Sequence, residues 1–149
     1  MIQNYEEYSG IVPRKIKELY GIYYDAVKRL YVSDSEFWIW YTLVAVEGKH
    51  TQQDICSMWS LPKQTVNTIV TRLRLKKYAY LEAVSGTRNR KVICLTDAGR
   101  EYGEKLILPI TQAEKKAYAK LSPEEIILMT DLLNRYINSV KDSIDNIEK

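Results

Sequence analysis

Three short segments, Ser33-Asp-Ser-Glu36, Thr51-Gln-Gln-Asp54 and Ser122-Pro-Glu-Glu125, each place a hydroxyl three residues ahead of a carboxylate. In such a pair the hydroxyl accepts a backbone N–H three residues on, and the carboxylate reaches back to the first N–H. Two of the donors that a helix leaves unpaired at its start are thereby satisfied together. The third segment adds proline at the first helical position, where its missing N–H costs nothing. Thr96-Asp97 reads as a fourth start, with an acid favourable to the helix dipole.

Hydrophobic spacing fills in the segments between these marks. A first helix is expected from Ile11 to Tyr31, with Ile16, Leu19, Tyr20, Tyr23, Val27 and Leu30 at helical intervals. A second runs from Ser33 to Val46 and stops near Gly48; a short third covers Thr51 to Met58, and a fourth Pro62 to Tyr78. The period then changes. Tyr80, Leu81, Ala83 and Val84, and after them Val92, Ile93 and Leu95, read as two short strands around a polar, basic turn containing Ser85-Gly86-Thr87. Helical spacing returns from Thr96 to Ala119 and from Ser122 to Asn146. The expected fold is mainly α with a small β-wing, in the order four helices, two strands, two helices. With no repeat, low-complexity tract or long linker, residues 1–149 read as one domain. Residues 33–96 form a central lobe, and 1–32 and 97–149 a helical region built from both ends.

Composition narrows the class. The 149 residues are 46% hydrophobic and 28% charged, which suits a folded globule better than a disordered chain. The longest apolar run, Phe37–Tyr41 continued by Leu43–Val46, falls short of the roughly 20 residues of a membrane span. The N-terminal Met1-Ile-Gln-Asn-Tyr-Glu-Glu has neither the basic start nor the apolar stretch of a secretory signal. Cys56 and Cys94 share no CxxC spacing, so a reducing, cytoplasmic setting is expected, and each thiol reads as a small buried hydrophobe rather than a redox switch. His50 is the sole histidine, which removes His-based triads and multi-histidine metal sites. No glycine-rich phosphate loop, paired-carboxylate motif or nucleophile elbow occurs, so neither catalysis nor a metal or other cofactor is expected.

Charge is unevenly spread. Between Pro62 and Thr96 stand Lys63, Arg72, Arg74, Lys76, Lys77, Arg88, Arg90 and Lys91 against the single acid Glu82. Of 22 basic and 19 acidic residues in all, the remainder of the chain therefore holds 14 basic and 18 acidic. One stretch is basic while the rest repels polyanions, the pattern expected where phosphates are neutralised.

That stretch also has the layout of a helix-turn-helix. Cys56 takes the small inner position, Trp59-Ser-Leu-Pro62 makes the turn, and Val66, Ile69, Val70 and Leu73 form an inner face. The outer face presents Lys63, Gln64, Asn67, Thr68, Thr71 and Arg72. Amides and arginine can pair with base edges in the major groove, while lysine and hydroxyls serve phosphates. Thr51 and Gln52 at the start of the shorter helix belong to the same candidate surface. The turn Arg88, Asn89, Arg90 and Lys91 suits the backbone or the minor groove.

The stretches Thr51–Val70 and Lys91-Val-Ile-Cys-Leu-Thr-Asp-Ala-Gly-Arg100 resemble the MarR family of bacterial regulators, and the likeness extends over most of the chain. The resemblance implies a winged helix-turn-helix regulator of transcription, a homodimer joined through its first, fifth and sixth helices on a pseudo-palindromic operator. It also implies release by a small phenolic or lipophilic ligand, or by oxidation. Three positions depart from the family pattern. Ser60 stands where glycine is usual in the turn, Pro62 where a hydroxyl caps the recognition helix, and Thr87 and Asn89 where the wing carries Asp and Arg.

Two further groups bear on partners. Ile126, Leu133, Val140 and Ile147 recur every seven residues, with Met129 and Tyr136 between them, a seam for another helix. Ile126, Met129, Leu133, Tyr136 and Val140 of this seam, with Ile11, Ile16 and Leu19, are the candidate dimer interface; burial inside one chain would use the same residues. Tyr20, Tyr24, Trp38 and Tyr41 are the candidate effector pocket, and core packing is the alternative reading. The expected partners are double-stranded DNA, a second copy of the chain and a small effector, with no membrane. The competing function is a winged-helix protein-interaction module that does not read DNA.

Overall fold

The computed structural model of the chain describes residues 5–147; the first four residues of the N-terminal segment judged above not to be a signal lie outside them. After a single 3-10 turn, Tyr5–Tyr8, come α1 (Ile11–Lys28), α2 (Asp34–Ala45), β1 (His50–Thr51), α3 (Gln52–Trp59) and α4 (Lys63–Leu75). They are followed by β2 (Ala79–Ala83), β3 (Lys91–Leu95), α5 (Asp97–Tyr118) and α6 (Pro123–Asp145). The chain packs as two units, Met1–Ile107 and Leu108–Lys149. The division falls inside α5, beside Pro109.

In the first unit α2 is the centre. Phe37, Ile39, Trp40 and Thr42 are wholly buried, and α1, α3 and α4 all pack on it. Ile55 of α3, Val66, Val70 and Leu73 of α4 and Ile107 of α5 complete this core. Burying each such aliphatic side chain is worth about 1.5–3 kcal/mol. Thr42 survives there because it donates to Trp38 O at 2.8 Å and accepts Trp59 Nε1–H at 2.7 Å.

All six expected helices form, but two end early. α1 stops at Lys28, and Tyr31, expected inside it, adopts φ 58°. α4 stops at Leu75 because Lys77 turns left-handed at φ 60° and Tyr78 N–H bonds back to Leu73 O at 2.9 Å. That bond pattern closes a helix and starts a strand. The sheet has a third strand that the two-strand reading omitted. β1 pairs antiparallel with β3 through His50 and Ile93, and Thr51 and Val92, so the order is β1-β3-β2. Two residues are too few to show alternation.

The second unit holds the rest of α5 and α6. Ser122 caps α6, accepting Glu125 N–H at 3.2 Å while its own N–H donates to the Glu125 carboxylate at 2.8 Å. Among the described residues of α6 none is buried. Of its heptad seam Ile126, Leu133 and Val140 are half-buried and Met129, Tyr136 and Ile147 exposed; off the seam Ile127, Leu128, Leu132, Ile137 and Ile144 are exposed as well. Among the described residues no helix is long and apolar enough to cross a membrane.

Candidate nucleic-acid interface

The helix-turn-helix is assembled from local bonds. Thr51 Oγ1 accepts Asp54 N–H at 3.1 Å, and Thr51 N–H donates to Asp54 Oδ2 at 2.8 Å, so α3 starts with a complete capping box. Ser60 ends α3 at φ 52°, taking the left-handed turn that the family's glycine would take. Its N–H and that of Leu61 both bond to Cys56 O, the latter at 3.1 Å. Cys56 is half-buried, less enclosed than expected. Pro62 precedes α4 with no side-chain cap. Val66, Ile69, Val70 and Leu73 are buried, and Lys63, Gln64, Asn67, Thr68 and Thr71 are exposed on the opposite face.

The wing turn closes on itself. Val84 N–H donates to Arg90 O at 2.9 Å, and the N–H and hydroxyl of Thr87 both donate to Val84 O, at 3.2 and 2.8 Å. Thr87 therefore shapes the turn without the aspartate usual there. At the wing's base Lys49 pairs with Glu82 at 2.8 Å, which occupies the one acid of the basic stretch. Arg90 reaches back to Asp54 Oδ2 at 3.5 Å and joins the wing to the start of α3. The Thr51 backbone N–H first, then the Thr51 side chain, and further the charge of Arg90, hold the Asp54 carboxyl below the usual carboxylate range.

Between the wing and α4 lies a concavity of about 660 Å³. Seven of the sequence candidates line it: Thr51, Gln52, Lys63, Asn67, Asn89, Arg90 and Lys91. Gln53, Asp54 and Leu81 also line it and were not singled out from the sequence. Asp54 carried a signal, its capping motif, whereas its link to Arg90 spans 36 residues and left none. Gln64, Thr68, Thr71 and Arg88 are exposed but lie outside this lining.

Arg72 is placed differently. Its guanidinium pairs with the carboxylate of Glu36, a residue only 8% exposed, which also accepts Trp40 Nε1–H at 3.4 Å. Ser33 still accepts Glu36 N–H at 3.1 Å, but the Glu36 side chain is spent on Trp40 and Arg72. The first capping motif is therefore only half formed.

Of the candidate effector residues, Tyr20 and Tyr41 lie against Trp38, with ring centroids 6.0 and 5.5 Å away, and Trp38 stacks on Trp59 at 4.3 Å. Tyr20 donates to Asp34 Oδ2 at 3.0 Å. Asp34 Oδ1 and Trp38 Nε1 are buried without a hydrogen-bond partner. Tyr24 is half-exposed and carries the Lys28 ammonium 4.4 Å above its ring. Both cysteines are free thiols.

No family model matches the chain, and no curated protein sequence does. Solved structures do. A MarR family regulator from Neisseria meningitidis is 20% identical with a TM-score of 0.80, covering 99% of this chain and 100% of that one. S. aureus MepR in its DNA-binding conformation is 22% identical with a TM-score of 0.68, covering 89% and 98%. NadR in complex with 4-hydroxyphenylacetate is 18% identical with a TM-score of 0.67, covering 94% and 93%. This chain has the winged-helix fold of the MarR family regulators.

Proposed function

We propose that the chain is a MarR-type transcriptional regulator, a repressor that binds a pseudo-palindromic operator as a homodimer through α4 and the wing. The observation that carries the reading is the concavity between them. Lys63 and Asn67 line it from α4, Arg90 and Lys91 from the wing, and the neighbouring acid Asp54 is occupied by Thr51 and Arg90. Cations that flank an exposed amide can hold a duplex by its phosphates while the amide reads a base edge. A protein-interaction module has no use for this concentration of positive charge. The regulator would work where the DNA is, in the cytoplasm.

The dimer is supported by apolar side chains left exposed on both α1 and α6. Effector release is supported by the aromatic cluster around Trp38 with its two unpartnered buried polar atoms, and by NadR, a protein of the same fold that holds a phenolic acid. Titration of a labelled random-sequence duplex at several salt concentrations tests the central point. Binding that weakens steeply with salt is expected; a chain that binds no duplex at low salt refutes the proposal.

A further inference from the structure

Arg72 lies on the helix proposed to enter the groove, yet its guanidinium is already engaged. The Glu36 side chain it pairs with is 10% exposed, while its own is 47% exposed. Around the same carboxylate stand Trp40, which donates to it, and Tyr102, whose hydroxyl its charge biases toward the protonated form after burial itself. Tyr102 in turn stacks on Tyr78 at 4.9 Å and packs on Trp40 at 5.3 Å. A carboxylate withdrawn from water is costly to leave unpaired, whereas one more contact to a solvated phosphate is weak and screened by salt. The contest for the guanidinium therefore favours Glu36.

Resting on the reading that α4 docks on DNA, we infer that Arg72 is a positioning residue and not a phosphate contact. The Glu36–Arg72 pair pins α4 to α2 and sets the roll of the recognition helix. It also keeps the charge of Arg72 out of the salt-dependent part of binding. Asn67 and Thr68 lie within five residues of Arg72 on the same helix, so the roll decides which base edges they meet. The planar fork of arginine can hold the carboxylate in one geometry; the point charge of lysine cannot.

The test measures affinity against salt for two duplexes, one of random sequence and one recovered by selection from a random pool. Arg72→Gln is expected to leave the slope of log K against log salt unchanged while reducing the selected-to-random affinity ratio by about tenfold. Glu36→Gln keeps an acceptor for Trp40 but loosens its hold on the guanidinium. Its slope is expected to steepen by up to about 0.9, one added phosphate, a gain that loss of a merely structural contact would not produce. A slope shallower by about 0.9 in Arg72→Gln with selectivity intact overturns the inference, as does an unchanged slope in Glu36→Gln. Should either variant misfold by circular dichroism, Arg72→Lys decides. It keeps both slope and selectivity if Arg72 serves a phosphate, and loses selectivity if Arg72 orients the helix. A wild-type chain that binds neither duplex refutes the DNA-binding reading itself, and does so before any variant is made.

Discussion

Gly99, in the first turn of α5, lies so close to Tyr78 that a Cβ there would sit 1.9 Å from the Tyr78 carbonyl oxygen. That carbonyl accepts Thr96 N–H at 3.0 Å, while the Thr96 hydroxyl donates to Lys77 O at 2.7 Å and accepts Gly99 N–H at 3.0 Å. The Leu-Thr-x-x-Gly stretch is thus a backbone clasp between the start of α5 and the end of α4. Four residues on, Gly103 lets Trp40 approach, since a Cβ would fall 2.7 Å from its ring.

Gly99→Ala should therefore destabilise the fold by about 4 kcal/mol or more, because rigid backbone stands where the methyl must go. Gly21→Ala is the control. Gly21 is helical with nothing within 4 Å of an added Cβ, and alanine there should stabilise by about 0.5–1 kcal/mol. Urea midpoints compare the two; equal shifts would show that Gly99 is not held against Tyr78.

The capping box at α3 has a pH signature. The Asp54 carboxyl is held below its ordinary range in the folded chain, so it titrates lower there than in the unfolded chain. Its stabilisation is then complete above the unfolded value and lost as pH falls through the folded one. Asp54→Asn should cost about 0.3–1 kcal/mol at pH 7, with the gap to wild type closing below about pH 4. A gap that does not narrow at all as pH falls below about 4 would point to packing rather than charge.

What could be read in advance was what is local. Capping motifs, helical spacing and the basic turn lie within a few residues of one another, so the helices, the wing and seven residues of the concavity were legible. The Glu36–Arg72 pair was not legible, because Glu36 carried the pattern of a capping partner and its true partner is 36 residues away. On α6 the heptad spacing picked out the half-buried Ile126, Leu133 and Val140, and with them Met129, Tyr136 and Ile147, which are exposed. Spacing alone did not show that Ile127, Leu128 and Leu132 would be the more exposed.

Asn67 is the exposed amide of α4 that faces the concavity. Asn67→Ala should cost about 1–3 kcal/mol on a selected duplex and little on a random one. Equal losses on both would remove Asn67 from sequence reading.

The wing carries Arg88, Arg90 and Lys91, all exposed, with Arg90 held loosely at 3.5 Å from Asp54. Replacing all three by alanine should make the salt slope shallower by up to about 2.7, three phosphates' worth. A slope that does not move would show that the wing stays clear of the duplex. Arg90→Ala alone reads its two roles in separate measurements: loss of the Asp54 link lowers stability, and loss of a phosphate contact makes the slope shallower by up to about 0.9.

Assembly is the prediction on which operator symmetry depends. One winged helix contacts few bases, whereas two recognition helices about 34 Å apart double the contacts and demand a two-fold site. A self-complementary apolar patch is what such a dimer needs. α6 exposes Ile127, Leu128, Met129, Leu132 and Ile137, and α1 exposes Ile11, Ile16 and Leu19. Leu132→Glu is the sharper probe than Leu133→Glu. Leu132 is 49% exposed, so a charge there costs the single chain little, while Leu133 is half-buried and its loss would confuse unfolding with dissociation. Light scattering should give twice the 17.4 kDa chain mass for wild type. For Leu132→Glu it should give a folded monomer with weakened binding to the selected duplex. A wild-type chain that is folded and monomeric at micromolar concentration would remove the dimer, and the palindromic operator with it.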